Sequence, residues 1–182
     1  MHEVGHNLGL QHSSSPGVEY GDSTCIMGIS DTDSDRPLKC FNAPKIHQLR
    51  WFPECHTIIT NWTIPTILYL IAATEYTPDC CNDGDAVTVM IEDPKRDDIY
   101  VFYNKVVGAN KGVNEHKNKV TITTGRLKAK SVLLTGITVG SEYTYGTSRG
   151  IVRVKYCAVV TGRAVVAIGL HDGSDICAFI AP

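Results

Sequence analysis

The stretch "HEVGHNLGLQH", from His2 to His12, places three histidines and a glutamate close together. An α-helix advances about 100° per residue, so His2 and His6 would lie one turn apart on the same face. Their ring nitrogens can then reach one metal ion at about 2.0–2.1 Å, the usual zinc–nitrogen distance. Glycine tolerates positive φ, so Gly9 lets the helix end and the chain turn back. The spacing therefore predicts a metal site completed by His12.

The same spacing indicates a particular chemistry. Three protein ligands leave one position open for water, which is the arrangement of a catalytic zinc rather than a structural one. Zinc lowers the pKa of that water towards about 7 and polarises a bound carbonyl. Glu3 lies beside the ligands and can act as general base on the water, then pass the proton to a leaving amine. The alternative is a polar surface helix with scattered histidines.

A methionine that could pack beneath the histidines follows them in the sequence. In "GDSTCIMGIS" Met27 stands next to Gly28, fifteen residues after His12. A methionine side chain is soft and apolar, so it can form a floor beneath the histidine rings without being a ligand. The alternative is an ordinary core methionine.

The combination of "HEVGHNLGLQH", "EYGDSTCIMG" and "CFNAPK" followed by "QLRW" resembles the gametolysin family of metzincin zinc metalloproteases. The likeness is strong over residues 1–52 and weaker beyond, where "IYVFYNKVVGANKGV" is similar to the β-rich region after the catalytic domain of that family. One departure is Arg50, because a glycine is expected before the tryptophan. The resemblance implies zinc ligands at His2, His6 and His12, the catalytic base at Glu3 and the turn methionine at Met27.

The resemblance also implies an N-terminal subdomain before the motif, whereas only Met1 precedes His2 in this sequence. Isolated helices shorter than about 12–15 residues are marginal in water, so a helix that starts here would fray around the first ligand. We therefore expect the chain to be the C-terminal piece of a longer protease, with little or no activity alone.

The composition argues against nucleic acid as a partner and against a membrane span. The chain has 182 residues, 20% of them charged, and a formal net charge of −2, so no nucleic-acid partner is expected. The most apolar stretch, Ile64 to Thr74, is too short for a membrane span, which needs about 20 residues.

Seven cysteines without CxxC spacing favour an extracellular disulfide framework, although free buried cysteines in a cytosolic protein remain the alternative. "NWT" makes Asn61 a candidate glycosylation site, consistent with secretion. A signal peptide is expected in the missing N-terminal part. The cysteines are Cys25, Cys40, Cys55, Cys80, Cys81, Cys157 and Cys177.

The hydrophobic pattern predicts a mainly β chain with two parts. Residues 1–54 would form part of a metzincin catalytic subdomain, with a short helix over residues 1–8, loops, and a second short helix near Pro44. Within it, the acidic run Asp31 to Pro37 is interpreted as a solvated turn rather than a calcium site. Residues 55–182 alternate with period two and are rich in β-branched and aromatic residues, which predicts an antiparallel β-sandwich domain. The predicted strands are "HTIIT", "TILYLIAA", "AVTVMIED", "DIYVFYN", "KVTITT", "SVLLTGITV", "GIVRVKYCAVV" and "AVVAIGL".

Two kinds of function compete. The first is a secreted zinc endopeptidase that acts, by resemblance, on extracellular matrix or cell-wall glycoproteins. The second is a non-catalytic glycan- or protein-binding β-sandwich module with a vestigial zinc site. A structural fragment without activity is a third possibility.

Overall fold

The computed structural model describes residues 1–28, 38–79, 81 and 84–178; the acidic run Asp31–Pro37 and Cys80 lie outside them. The described chain is mainly β, as the sequence predicts. No helix among these residues has the length and apolarity to cross a bilayer. The α-helices are α1 (His2–Asn7) and α2 (Ala43–Leu49), and 3-10 turns span Pro53–Cys55, Ala73–Glu75 and Gly108–Asn110. The strands are β1 (Ser13–Ser14), β2 (His56–Ile59), β3 (Thr66–Leu70), β4 (Asp85–Ala86), β5 (Thr88–Ile91), β6 (Asp98–Asn104), β7 (Lys119–Gly125), β8 (Ser131–Ile137), β9 (Glu142–Thr147), β10 (Gly150–Val160) and β11 (Arg163–Leu170).

The strands form two mixed sheets. One has the order β1-β8-β7-β6-β5-β2 and the other β4-β3-β11-β10-β9. The predicted antiparallel pairing holds for the inner strands. Three edge pairs are instead parallel: β1 with β8, β2 with β5, and β3 with β4. These partners are joined by long connections rather than hairpins, and a long connection is what parallel pairing requires.

Two hydrophobic cores lie on opposite faces of the six-stranded sheet. Val101 of β6 and Val154 of β10 belong to the core that the two sheets share. Successive side chains of a strand point to opposite faces, so Tyr100 and Phe102 of β6 point away from that core. There they share a second core with Ile46 of α2 and with the segment around the turn methionine. The first part of the chain therefore covers the outer face of this sheet.

A buried polar network fastens β1 to β8. The Ser13 hydroxyl donates to an Asp22 carboxylate oxygen at 2.6 Å. The Asn42 amide donates to the Ser13 hydroxyl at 2.7 Å and to the Ser131 hydroxyl at 3.1 Å. Ser13 is the register partner of Ser131 in the strand pair. Buried polar groups that satisfy one another specify a single arrangement, so this network fixes where β1 lies along β8.

Two disulfides, Cys55–Cys81 and Cys157–Cys177, support the extracellular interpretation. Cys25 and Cys40 are free cysteines of the described part of the chain. The Cys25 sulfur accepts the backbone N–H of Met27 at 3.4 Å and that of Asn42 at 3.3 Å. Burial raises the pKa of the Cys25 thiol to about 12, so it stays protonated.

The end of α2 explains why a glycine is expected at the position of Arg50. The Arg50 N–H donates to the His47 carbonyl at 3.1 Å, and the Trp51 N–H donates to the Ile46 carbonyl at 3.2 Å. This closure places Arg50 in the left-handed region, at φ 54° and ψ 37°. Glycine adopts that conformation at little cost, whereas a residue with a Cβ is strained there.

Replacing Arg50 with glycine should stabilise the chain. We expect Arg50→Gly to raise the free energy of unfolding by about 1 kcal/mol, because it removes the left-handed penalty at a solvent-exposed position. Urea unfolding followed by circular dichroism measures the change. Arg50→Ala is the control: it loses the same charge but keeps the Cβ. Equal effects of the two substitutions would contradict the explanation.

Asp93 connects turns of the two sheets. It is only 4% exposed and follows β5, while Ser148 lies in the turn between β9 and β10. Its carboxylate accepts the backbone N–H of Ser148 at 2.7 Å, the Ser148 hydroxyl, and the N–H of Lys95 at 3.0 Å. Burial raises the pKa of Asp93, but these hydrogen bonds outweigh it and lower the pKa to about 2.

The contribution of Asp93 to stability should therefore depend on pH. Its pKa is lower in the folded chain than the ordinary 3.8, so the contribution is present above pH 3.8 and is lost towards pH 2. We expect Asp93→Asn to lower the free energy of unfolding by about 2 kcal/mol at neutral pH. In urea unfolding with a chelator present, this difference from wild type should shrink on acidification. Asp97→Asn, at an exposed neighbour, is the control. A difference that does not change with pH would contradict the prediction.

Candidate metal centre

The motif histidines meet because α1 ends where the sequence predicts. Gly9 has φ +79°, and its N–H donates to the His6 carbonyl at 2.9 Å. The Leu10 N–H reaches back to the Gly5 carbonyl at 3.0 Å, and the Leu10 side chain is fully buried. This pair of bonds is the usual closure of a helix whose last turn reverses through a glycine. It returns the chain towards α1 and places His12 next to His6.

Each histidine ring is oriented through its Nδ1 atom. The acceptors are backbone carbonyls for two rings and a carboxylate for the third, and these oxygens can only accept. In a neutral ring held in this way Nδ1 carries the hydrogen, and the lone pair of Nε2 lies on the other side of the ring. The contacts are His2 Nδ1 with the Ile26 carbonyl at 2.8 Å, His6 Nδ1 with the Leu10 carbonyl at 2.9 Å, and His12 Nδ1 with Glu19 Oε1 at 3.1 Å.

The three rings converge with a spacing that suits a metal ion. One nitrogen of each of His2, His6 and His12 lies within 4.8 Å of the others, and all three residues are half-buried. The Nε2 atoms of His6 and His12 are 3.2 Å apart. Two lone pairs repel at that distance unless a cation lies between them. Two nitrogen ligands of a tetrahedral ion at 2.0–2.1 Å are about 3.3 Å apart, so the residues fit zinc.

Two further side chains contact His12 and a third contacts one of these two; reasoning from the sequence did not identify them. Glu19 accepts from His12 and also pairs with the Lys130 ammonium at 2.6 Å. The hydrogen bond from Lys130, followed by that from His12, lowers the pKa of the Glu19 carboxyl. The Tyr20 ring lies 4.2 Å from the His12 ring, centroid to centroid. Glu19 and Tyr20 belong to the quoted "EYGDSTCIMG", but Lys130 is far away in sequence and carries no local signal.

The part of the chain that contains these histidines is similar to a known protein family. Residues 1–90 match the sequence model of the family described as Gametolysin peptidase M11. This segment is therefore similar to that family over nearly half of the chain. The match runs beyond residue 54 and includes β2, β3, β4 and most of β5. The division into domains at residues 54 and 55 stays a prediction.

Two curated relatives also match parts of the chain. "Autolysin" of Chlamydomonas reinhardtii is 41% identical over 51 residues, which are 28% of this chain and 8% of that protein. A protein of Heliothis virescens ascovirus 3e named "Putative matrix metalloproteinase" is 24% identical over 111 residues, which are 56% of this chain and 23% of that protein. The chain thus spans less than a quarter of either relative. No solved structure matches it.

The remaining predicted site residues fall into two places. Glu3 lies in the first turn of α1, next to His2, and its side chain is exposed. Met27 is fully buried below α1, in the core that also contains Leu10. Asn61 is remote from the gametolysin motif: it lies exposed between β2 and β3, where its side-chain oxygen accepts from the Thr63 hydroxyl at 2.8 Å. The structure therefore brings the histidines, Glu3 and Met27 into one region and leaves Asn61 outside it.

Gly5 has a role that the spacing argument missed. It is the buried residue of α1, and a Cβ at this position would lie 2.3 Å from the Met27 sulfur and 3.2 Å from its methyl carbon. The backbone of α1 at Gly5 therefore packs directly against the Met27 side chain. Met27 supports the turn of helix between His2 and His6 by direct contact.

A methyl group at Gly5 should loosen the metal centre. Alanine usually stabilises a helix relative to glycine by about 1 kcal/mol. Here we expect Gly5→Ala to lower the free energy of unfolding by about 1–3 kcal/mol, because the new methyl group would force the fully buried Met27 side chain to shift. It should also weaken zinc binding. Chemical unfolding and zinc competition titration measure the two effects.

The matched control combines Gly5→Ala with Met27→Ala, which makes room for the new methyl group. The double variant should bind zinc more tightly than Gly5→Ala alone. Stabilisation by Gly5→Ala alone would show that the contact with Met27 does not constrain the helix.

Proposed function

We propose that this chain carries the zinc-binding part of an endopeptidase of the gametolysin family, with His2, His6 and His12 as ligands through Nε2. The observation that carries the proposal is the convergence of one ring nitrogen from each histidine, with the Nε2 atoms of His6 and His12 3.2 Å apart, in rings that each contact an acceptor through Nδ1. A scattered set of surface histidines would have no reason to share this orientation. Neutral imidazoles with a carboxylate or carbonyl behind them are typical zinc ligands.

The residues supply the remaining parts of peptide hydrolysis. Zinc, when bound, acidifies a water and polarises the scissile carbonyl. Glu3 takes the proton of the attacking water and returns it to the leaving amine, which restores its carboxylate for the next cycle. Its exposed position in the first turn of α1 leaves it accessible to solvent and substrate. Met27 holds the helix from below and takes no part in proton transfer.

The substrate proposal rests on the relatives and on the cysteines. Relatives named autolysin and matrix metalloproteinase support protein substrates in the extracellular matrix or cell wall, with glycoproteins as the expected class. Two disulfides and the exposed sequon at Asn61 support secretion and glycosylation. We propose that a signal peptide directs the protein out of the cell. Most of either relative's length lies outside the aligned region, so we expect the chain alone to cleave poorly.

Zinc binding can be tested on the chain itself. We expect the purified chain to bind one zinc ion and to lose most of its affinity in His6→Ala, because one of three ligands is removed. Competition with a chromogenic chelator measures the affinity, and elemental analysis measures the stoichiometry. His171→Ala, at an exposed histidine outside the motif, is the control. No stoichiometric zinc in the wild-type chain would reject the proposal.

Catalysis is tested separately, in the longest natural form of the protein that contains these residues. Glu3→Gln should keep zinc but lower kcat on a protein substrate by at least about 100-fold, since the general base is lost. Zinc bound without any cleavage by the wild-type protein would instead favour the glycan- or protein-binding module with a vestigial site.

A further inference from the structure

We propose that Glu19 is a positioning residue for His12, and that Lys130, which directly precedes β8, holds Glu19 in place. Through this chain of contacts, a strand that follows the zinc motif by more than a hundred residues sets the orientation of its third ligand. The inference rests on the proposed function, because it assigns His12 to the metal. It adds two residues to which the sequence analysis assigned no role.

The third ligand differs from the other two in how its ring is held. His2 and His6 donate to the backbone carbonyls of Ile26 and Leu10, and those carbonyls belong to the turns that surround α1. His12 donates instead to a carboxylate on a side chain with several rotatable bonds. A carboxylate orients the ring only if something else fixes the carboxylate. The Lys130 ammonium, at 2.6 Å from the same Oε1 atom, provides that second contact.

The backbone around His12 is tied to the same strand. The Ser131 N–H donates to the His12 carbonyl at 3.2 Å, and the Ser14 hydroxyl donates to the Ser131 carbonyl at 2.9 Å. His12 directly precedes β1, and Lys130 directly precedes β8. The parallel pairing of these strands therefore brings the third ligand and Lys130 side by side. The start of β8 therefore contacts the His12 backbone directly, through Ser131. The preceding residue, Lys130, reaches the His12 ring indirectly, through Glu19.

The contact acts on the ring rather than on the fold. Glu19 and Lys130 are 52% and 53% exposed, and an ion pair so open to water contributes little to stability. A carboxylate that accepts from Nδ1 raises the basicity of Nε2 and restricts rotation of the ring. Tyr20 packs against one face of the ring and restricts it further. Loss of Glu19 should therefore be visible in metal binding while the unfolding of the metal-free chain stays the same.

The test is zinc affinity of the 182-residue chain by chelator competition, with the visible spectrum of the cobalt-substituted chain as a readout of ligand geometry. We expect Glu19→Ala to weaken zinc binding by about 10- to 100-fold, as removal of such partners typically does. Glu19→Gln should fall between this variant and wild type, because it keeps an acceptor but loses the charge. Lys130→Ala should weaken binding less, and Lys130→Arg should restore it. The cobalt spectrum should shift in Glu19→Ala.

The matched control is the Lys105–Glu75 pair, which has the same 2.6 Å separation and lies outside the metal centre. Glu75→Gln and Lys105→Ala should leave zinc affinity unchanged. Added sodium chloride should weaken zinc binding by wild type more than by Glu19→Ala, because salt screens an exposed pair.

Three results would overturn the proposal. Wild-type affinity in both Glu19→Ala and Lys130→Ala would show that the pair does not position the ring. Equal weakening by the Lys105–Glu75 variants would show a general effect of surface charge. If the wild-type chain binds no zinc, the proposed function fails first, and this inference fails with it.

Discussion

The pairing of β1 with β8 is the contact on which the metal centre depends. Helix α1 has six residues, and a helix of this length has little stability of its own in water. Its orientation comes from what surrounds it: the turn methionine below Gly5, the carbonyls that accept from its histidines, and the strand that continues from His12. The strand is anchored by the buried network around Ser13. The six-stranded sheet thus serves as the base on which a short, loop-rich segment acquires a defined geometry.

This arrangement explains how a segment with little regular structure can hold three rings in register. Rigid elements position side chains well, and loops do so only when their backbone groups are satisfied elsewhere. Here the loop carbonyls of Ile26 and Leu10 are themselves the acceptors that orient the rings. The second core, which contains Ile46 and Met27 together with Tyr100 and Phe102, packs this part of the chain against the sheet. Backbone geometry, apolar packing and imidazole orientation therefore depend on one another.

The sequence predicted those parts of the site whose geometry is set by residues close together in the chain. The four-residue spacing of His2 and His6 and the conformational freedom of Gly9 act within a few bonds, and the structure shows the helix and the reversal that they imply. The period-two strands are also local signals, and the eight predicted strands are found. The two-residue strands β1 and β4 are too short to show a period, and β9 was missed although its tyrosines alternate.

What the sequence could not show depends on distant pairs. Nothing near Lys130 indicates that it lies beside Glu19, because their contact results from the register of two strands far apart in the chain. Parallel pairing at three sheet edges was missed for the same reason. Arg50 is the opposite case: a family pattern pointed to an expected glycine, and the left-handed backbone there gives that expectation a physical cause.

The placement of β1 has a consequence for solubility. The last strand of a sheet presents unpaired N–H and C=O groups that can recruit another molecule, and proteins usually cover such edges. In this chain the edge of β8 at Ser131 and Val132 is covered by the two residues that follow the third histidine. Any state in which the motif detaches from the sheet would uncover this template for intermolecular association. The placement of the third histidine and protection from aggregation are therefore coupled through the same short strand.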